Sequence, residues 1–201
     1  MNRAKIVALC TLAACGYGIV HDQITVRVCS EYFSVAHPPL FPTDSPTLLA
    51  LCWGVAATWW VGLALGTVLA LVSHAGPGAP TPAASFYQPV GVLLAVMGLA
   101  AFAAGLVGYG LTRGGFVPVP GVVRRIVPVW KEARFVAAWC AHLTSYLVGA
   151  AGGALVCLRA WNARGRPAAL ALMPRGRAAT VRAGCIALVG ALVWWWRWRA
   201  H

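Results

Sequence analysis

The sequence contains few charged residues. Only 10% of its 201 residues are charged, and Asp and Glu together number four, whereas 60% are hydrophobic. Soluble domains carry about 25% charged residues, and a chain this short cannot bury so much apolar surface in one water-facing core. The scarcity of charge excludes an ordinary soluble domain and predicts a protein that has hydrocarbon as part of its solvent.

Several familiar functional motifs are also missing from the sequence. It has no P-loop, no dinucleotide-binding fingerprint, no HExxH pair and no nucleophile elbow. It has no CxxC pair, and all of its seven cysteines except Cys29 lie in apolar runs, where cysteine behaves as a small hydrophobic residue. These absences argue against a nucleotide-dependent enzyme, a zinc finger and a disulfide framework.

Long apolar runs are what the sequence does contain. A membrane-spanning helix needs about 20 apolar residues. The four runs of suitable length are Ala4–Val20, Thr47–Ser73, Val90–Thr112 and Phe135–Leu158. We therefore predict an all-α membrane protein with four transmembrane helices in residues 1–161 and a polar loop at 21–46. The loop ends in Asp44-Ser45-Pro46, which is typical of a helix start and makes Asp44 a candidate N-cap.

Both ends of the chain allow a second interpretation. Leu12-Ala13-Ala14-Cys15 matches a bacterial lipobox, although the apolar run continues to Val20, which favours a spanning helix. Residues 162–201 form an arginine-rich tail, in which Gly184–Trp196 is apolar but short and is followed by alternating Arg and Trp. This segment is either a fifth hydrophobic helix or a helix in the membrane interface.

The net charge of +12 comes mainly from Arg and Lys in the connecting segments beside the apolar runs. This placement indicates binding to anionic lipid head groups rather than to nucleic acid. We expect a multi-pass protein of the bacterial inner membrane with its N-terminus inside. Its expected partners are the lipid bilayer and another membrane protein.

Small residues recur at four-residue spacing in two of the predicted spans. Such ridges allow close packing of membrane helices. The glycines concerned are Gly54, Gly62 and Gly66 in the second span, and Gly149 and Gly153 in the fourth. We expect the first ridge to face the second ridge or the third span.

His142 is an ionisable side chain well inside an apolar run, where such residues usually have a function. The alternative is a neutral histidine that is hydrogen-bonded to Tyr146 on the same helix face or to a neighbouring backbone group. Imidazoles and carboxylates together can bind zinc or another divalent metal. The candidate ligands are His21, Asp22, Glu31, His37 and His142.

The loop from His21 to Thr43 alternates polar with apolar residues, so we expect it to fold back over the helices and to bring a polar side chain within reach of His142. The loop and His142 then form either a metal site or a hydrogen-bonded polar plug. In the second case, Arg27 and Glu31 are four residues apart and are expected to pair if this stretch is helical.

Two groups of motifs carry a resemblance to a protein family. They are His21-Asp22-Gln23, Thr25, Arg27, Cys29, Glu31-Tyr32-Phe33 and His37-Pro38-Pro39, together with Trp139, His142, Ser145-Tyr146 and Gly149. With these motifs, residues 4–161 resemble a family of bacterial integral membrane proteins of unknown function. The resemblance implies a membrane location and no particular activity.

The sequence favours a non-enzymatic function, as a binding protein or accessory subunit of the inner membrane. The alternative is a metal-dependent membrane enzyme or a transporter of a small solute, with the His/Asp/Glu cluster at the face formed by loop 21–46. No cofactor is evident from the sequence other than a divalent metal ion.

Overall fold

The computed structural model describes residues 1–75 and 79–164, and within these residues the chain forms helices and no β-strand. The α-helices in this part of the chain are α1 (Asn2–Val28), α2 (Glu31–Ser34), α3 (Pro46–Ala56), α4 (Trp59–Ser73), α5 (Tyr87–Arg113), α6 (Gly121–Ile126) and α7 (Glu132–Ala163). Short 3₁₀ helices, Ala83–Phe86 and Val129–Lys131, precede α5 and α7.

Within the described residues, four helical segments are long and apolar enough to cross a membrane. They are Asn2–Val28, Pro46–Ser73, Ala83–Arg113 and Val129–Ala163. The prediction of an all-α membrane protein with four spans is therefore confirmed. The segment Gly184–Trp196, expected as a fifth hydrophobic helix or an interfacial one, lies outside the described residues.

The first span is longer than its apolar run. Helix α1 continues through Val28, so the expectation that the loop begins at His21 is wrong. Residues 21–28 include neither Pro nor Gly, and the Thr25 hydroxyl donates to the His21 carbonyl at 3.0 Å inside the helix. Arg27 also donates to the Gln23 side chain one turn earlier at 2.6 Å. The stretch has no helix-breaking residue, so the helix extends beyond the hydrophobic run.

The second span begins at Pro46 and is interrupted at Ala57 and Thr58, between α3 and α4. Ser45 is its N-cap, because the Ser45 hydroxyl accepts from the Leu48 amide at 3.4 Å. The expectation that Asp44 caps this helix is wrong. Pro46 occupies the first helical position, and this places Ser45 at the residue whose side chain reaches the third amide of the helix.

The chain divides into two compact units. One consists of Met1–Ala14, Thr58–Leu93 and the described part of Gly149–His201, and the other consists of Cys15–Ala57 and Leu94–Val148. In the first unit, Asn2 donates to the Thr81 carbonyl at 2.8 Å and accepts from the Ala83 amide at 3.0 Å, which ties the start of α1 to the segment before α5.

The second unit has a hydrophobic core that includes residues from the segment between the first two spans. Tyr32 and Phe33 from α2 pack with Trp53 from α3 and Phe135 from α7. Valines of the segment between α5 and α7 complete this cluster, namely Val119, Val123 and Val127. The core thus combines spanning helices with the chain that connects them.

The glycine ridge of the second span packs against α1. An added Cβ at Gly62 would lie 2.6 Å from the Cys10 carbonyl oxygen and the Thr11 Cα, and one at Gly66 would lie 2.8 Å from the Val7 Cα. Gly54 likewise approaches the backbone of Ile19. The ridge does face another helix, but the expectation that this helix is the third or the fourth span is wrong.

The second ridge has a different neighbour. An added Cβ at Gly153 would meet the Leu65 side chain of α4 at 3.3 Å. Gly149 lies half-buried on the same helix. Four-residue spacing identifies the face of a helix that packs closely, but it does not identify the partner.

Substitution of Gly62 by alanine should destabilise the protein by about 1–3 kcal/mol, because the added methyl group would overlap the backbone of α1. The matched control is Gly91→Ala, since nothing lies within 4 Å of a Cβ added at Gly91 in α5. Thermal unfolding in detergent should show a lower melting temperature for Gly62→Ala only. Equal melting temperatures for the two variants would contradict the close approach of α4 to α1.

Candidate metal centre

His142 lies in the middle of α7, where it is 5% exposed. Its Nδ1 is 2.8 Å from the Ala138 carbonyl oxygen one turn earlier, and its Nε2 is 3.1 Å from Oδ1 of Asp22 on α1. A carbonyl oxygen can only accept a hydrogen bond, so Nδ1 carries a hydrogen and donates it. In neutral His142, Nε2 is therefore the nitrogen with the lone pair.

This arrangement places a lone pair opposite a buried carboxylate. Asp22 is also 5% exposed, so water does not screen the contact. A lone pair and a carboxylate oxygen at 3.1 Å repel each other unless a positively charged species lies between them. That species is either a proton, which forms an ion pair or a shared hydrogen bond, or a metal cation.

His21, which directly precedes Asp22 in α1, is the third residue of the cluster. One ligand atom from each of His21, Asp22 and His142 lies within 4.8 Å of the other two. The rings of His21 and His142 meet edge to face, with centroids 4.5 Å apart. Among the described residues, Nε2 of His21 is a buried nitrogen with no hydrogen-bond partner. A buried polar atom without a hydrogen-bond partner lowers the stability of the folded state by about 1–3 kcal/mol.

Tyr17 and Ser145 hold His21 in place. The Tyr17 ring stacks on the His21 ring at 5.6 Å, and the Tyr17 hydroxyl is 2.7 Å from the Ser145 hydroxyl on α7. Sequence reasoning missed Tyr17. The available signal was its spacing of four residues from His21, because that spacing places the two rings on one face of α1.

Helix α2 and the residues after it cover the cluster. Tyr32 and Phe33 are each 2% exposed, and their rings lie 4.4 Å and 5.6 Å from the His142 ring. The prediction that this segment folds back is confirmed. The prediction that a side chain from His21, Asp22, Glu31 or His37 reaches His142 is also confirmed, by Asp22, although Asp22 lies in α1 and not in the segment that folds back. His142 bonds both to the backbone carbonyl of Ala138 on its own helix, as the alternative interpretation allowed, and to the Asp22 side chain of α1.

His37 lies in the cover and outside the three-residue cluster. Its Nδ1 is 2.7 Å from the Tyr32 carbonyl oxygen, to which it donates, and its ring packs on Trp53 at 4.6 Å. His37 is buried, and its hydrogen bond fixes the turn that presents Tyr32 and Phe33 to His142. The structure therefore gives this candidate ligand a positioning role.

Glu31 is also outside the cluster. It forms an ion pair with Lys131, which ties the cover to the start of the fourth span. Arg27 instead donates to the Gln23 side chain at 2.6 Å and the Thr47 hydroxyl at 3.2 Å, so the expected Arg27–Glu31 pair is wrong. The reason is the longer α1, which holds Arg27 in the helix with Gln23 one turn away.

The pKa of Glu31 is consistent with its ion pair with Lys131. Burial, the largest single effect, raises the pKa of Glu31, but the hydrogen bonds from Lys131, the backbone and Cys29, together with the charge of Lys131, outweigh it and leave the pKa below its ordinary value. Burial, followed by the hydrogen bond to Glu31, raises the pKa of the neighbouring Cys29 to about 11. Cys29 therefore remains a thiol that donates to Glu31 at 3.4 Å, and it is not a thiolate available to a metal.

The donor set fits a transition-metal ion. Two imidazoles and one carboxylate are common zinc ligands, and bonds of about 2.0–2.2 Å place the ligands of a tetrahedral ion roughly 3.3 Å apart. The 3.1 Å between His142 and Asp22 is close to that spacing. A metal-bound histidine usually donates the N–H of its other ring nitrogen to a carbonyl or carboxylate oxygen. His142 Nδ1 makes such a hydrogen bond to the Ala138 carbonyl.

No family model, curated protein or solved structure matches the chain. The resemblance to a bacterial membrane protein family stays a prediction. The function therefore has to be argued from the residues of the chain itself.

Proposed function

We propose that this chain is a metal-binding protein of the bacterial inner membrane, which holds one divalent transition-metal ion between His21, Asp22 and His142. The observation that carries the proposal is the lone pair of His142 Nε2 directed at the buried Asp22 carboxylate. That contact requires a positive species, and the chain offers a third donor beside it.

A metal ion would satisfy all three side chains of the site, whereas a proton would satisfy only His142 and Asp22. A proton between His142 and Asp22 relieves the repulsion of that pair alone, and it leaves the buried Nε2 of His21 without a partner among the described residues. A metal ion accepts electron pairs from all three side chains at once. Buried polar groups without partners in native proteins often mark an ion or a water molecule.

The ligand types narrow the choice of metal. Imidazole suits zinc, copper, iron and nickel, whereas magnesium and calcium prefer sites made wholly of oxygen atoms. A site with two histidines and one carboxylate therefore favours a zinc-like ion. Among zinc, iron and nickel, availability in the cell and the exact geometry decide the occupant.

A metal-dependent membrane enzyme is the second candidate. Three protein ligands leave a fourth position of a tetrahedral ion open for water or substrate, as at catalytic zinc sites. The cover formed by Tyr32 and Phe33 favours the binding function over the enzyme, because these two buried rings lie against His142 and limit the space for a substrate.

The location and the lipid partners follow from charge and hydropathy. Four apolar spans suit a helical protein of the inner membrane. The segment between α5 and α7 carries Arg124 and Arg125 beside exposed apolar side chains such as Val122 and Trp130. This combination suits contact with anionic lipid head groups at the membrane surface.

The metal content of the purified full chain tests the proposal. After equilibration with Zn²⁺ in detergent and removal of unbound ions, elemental analysis should find about one zinc ion per chain. The Asp22→Asn variant should retain almost none, because its neutral amide does not balance the charge of the ion. Equal zinc retention by the two proteins would contradict the site.

A further inference from the structure

An open cleft of about 550 Å³ lies on the outer side of the cover, and it is distinct from the metal cluster. Its walls come from α2, α3 and the proline-rich segment between them. Phe33 and Trp53 form apolar wall, while the polar lining consists of Ser30, Ser34, Thr43 and Asp44. Among the described residues that line this cleft, Asp44 alone carries a charge.

The cleft and the metal cluster share one wall. Phe33 lines the cleft, and the same ring meets the His142 ring edge to face, with centroids 5.6 Å apart. A single aromatic ring therefore separates the two spaces at this point. Phe33 is 2% exposed, so its side chain is closely surrounded by other groups in the structure.

A buried metal site needs a path by which the ion reaches it. Asp22 lies roughly 9 Å before the end of α1, and His142 lies roughly 15 Å after the start of α7. Both side chains are buried. The cleft brings solvent to within one ring of His142. Its exposed carboxylate and three hydroxyl groups offer oxygen atoms, which suit a hydrated divalent cation.

We propose that this cleft is the access route of the metal ion to the buried site, with Asp44 attracting the cation at the mouth and Phe33 as the movable partition. The inference rests on the proposed metal-binding function. The ion loses its water in the cleft and passes when the Phe33 side chain turns aside. The bond of His37 to the Tyr32 carbonyl keeps the backbone of the cover in place during this movement.

A route has a kinetic signature that a ligand does not have. A residue that only blocks the access path changes the rate constants of metal binding and metal release by the same factor. The dissociation constant Kd of the metal therefore stays the same. A ligand, or a residue that shapes the site, changes the equilibrium constant. Measurement of both rates and of Kd therefore separates these roles.

The experiment uses the full chain in detergent and Co²⁺ as the probe, because the visible absorption of Co²⁺ reports its coordination. Binding is followed by stopped flow, and release is followed after addition of a chelator. Phe33→Leu should raise both rates on the order of tenfold, equivalent to a barrier about 1.4 kcal/mol lower, at unchanged Kd. The matched control is Phe135→Leu, since Phe135 is buried in the same core and does not line the cleft.

Asp44→Asn provides a second variant that does not disturb the core, because Asp44 is exposed. It should slow Co²⁺ binding roughly 2- to 10-fold at low salt and much less at high salt, as expected for electrostatic steering. Glu132→Gln removes an equal charge away from the cleft and should leave the rate unchanged.

The outcomes distinguish the route from the site. Unchanged rates in Phe33→Leu and Asp44→Asn, with Co²⁺ still bound at equilibrium, would overturn the route and leave the metal site intact. A changed Kd in Phe33→Leu would also overturn the route, since Phe33 would then shape the site itself. Absence of Co²⁺ binding to the parent protein would overturn the metal site and the route together.

Discussion

Replacement of His142 by alanine is expected to lower the affinity of the chain for Zn²⁺ by more than about 100-fold. Loss of an outer partner of a metal ligand already costs roughly 10- to 100-fold, and loss of the ligand itself should cost more. His142 supplies a nitrogen 3.1 Å from the Asp22 carboxylate, so its removal leaves two donors and a cavity. Competition with a chromophoric chelator measures the affinity in detergent.

The matched control for this substitution is His74→Ala. His74 follows α4, its Nδ1 lies 2.8 Å from the Ser73 hydroxyl, and it is not a member of the three-residue cluster. This variant removes an imidazole and should bind Zn²⁺ like the parent. Similar affinities for the His142→Ala variant and the parent would show that zinc binds elsewhere.

Zinc should also stabilise the folded protein strongly. A ligand that binds only the native state at 1,000 times its Kd adds about 4 kcal/mol to the free energy of unfolding. The effect should be large here because the ligands come from α1 and α7, which are far apart in sequence and form no preassembled site in the unfolded chain. The measurement is thermal unfolding with excess Zn²⁺ and with a chelator.

Asp22→Asn should abolish this stabilisation, so that its melting temperature is the same with zinc and with chelator. The Glu132→Gln variant loses an acidic side chain outside the cluster and should keep the full zinc effect. A zinc-dependent rise in the melting temperature of Asp22→Asn, equal to that of the parent, would contradict the role of Asp22.

The four spans were predictable because hydropathy is a local property of the sequence, and each apolar run is long enough to show it. His142 was also predictable as a special residue, since an ionisable side chain inside such a run is costly. The end of the first span was not predictable from hydropathy. Residues 21–28 mix polar with apolar side chains, and the partner of Asp22, His142, comes from a distant part of the sequence.

Contacts between distant segments were only partly predictable. The sequence placed His21, Asp22 and His142 in one candidate cluster, and the structure brings these three together. The sequence could not show that Glu31 and His37 lie outside this cluster. Glu31 pairs with Lys131 and His37 bonds to the Tyr32 carbonyl, and both contacts depend on the folded structure. The partner of the Gly62 ridge was missed for the same reason, since small-residue spacing carries no information on the neighbouring helix.

X-ray absorption at the zinc edge of the zinc-loaded full chain tests the central claim most directly. A site made of His21, Asp22 and His142 predicts nitrogen and oxygen ligands at about 2.0–2.2 Å, with the outer-shell scattering of two imidazole rings. The His142→Ala variant should lose this spectrum. A sulfur ligand at about 2.3 Å, or a first shell of oxygen atoms without imidazole, would contradict the proposed site.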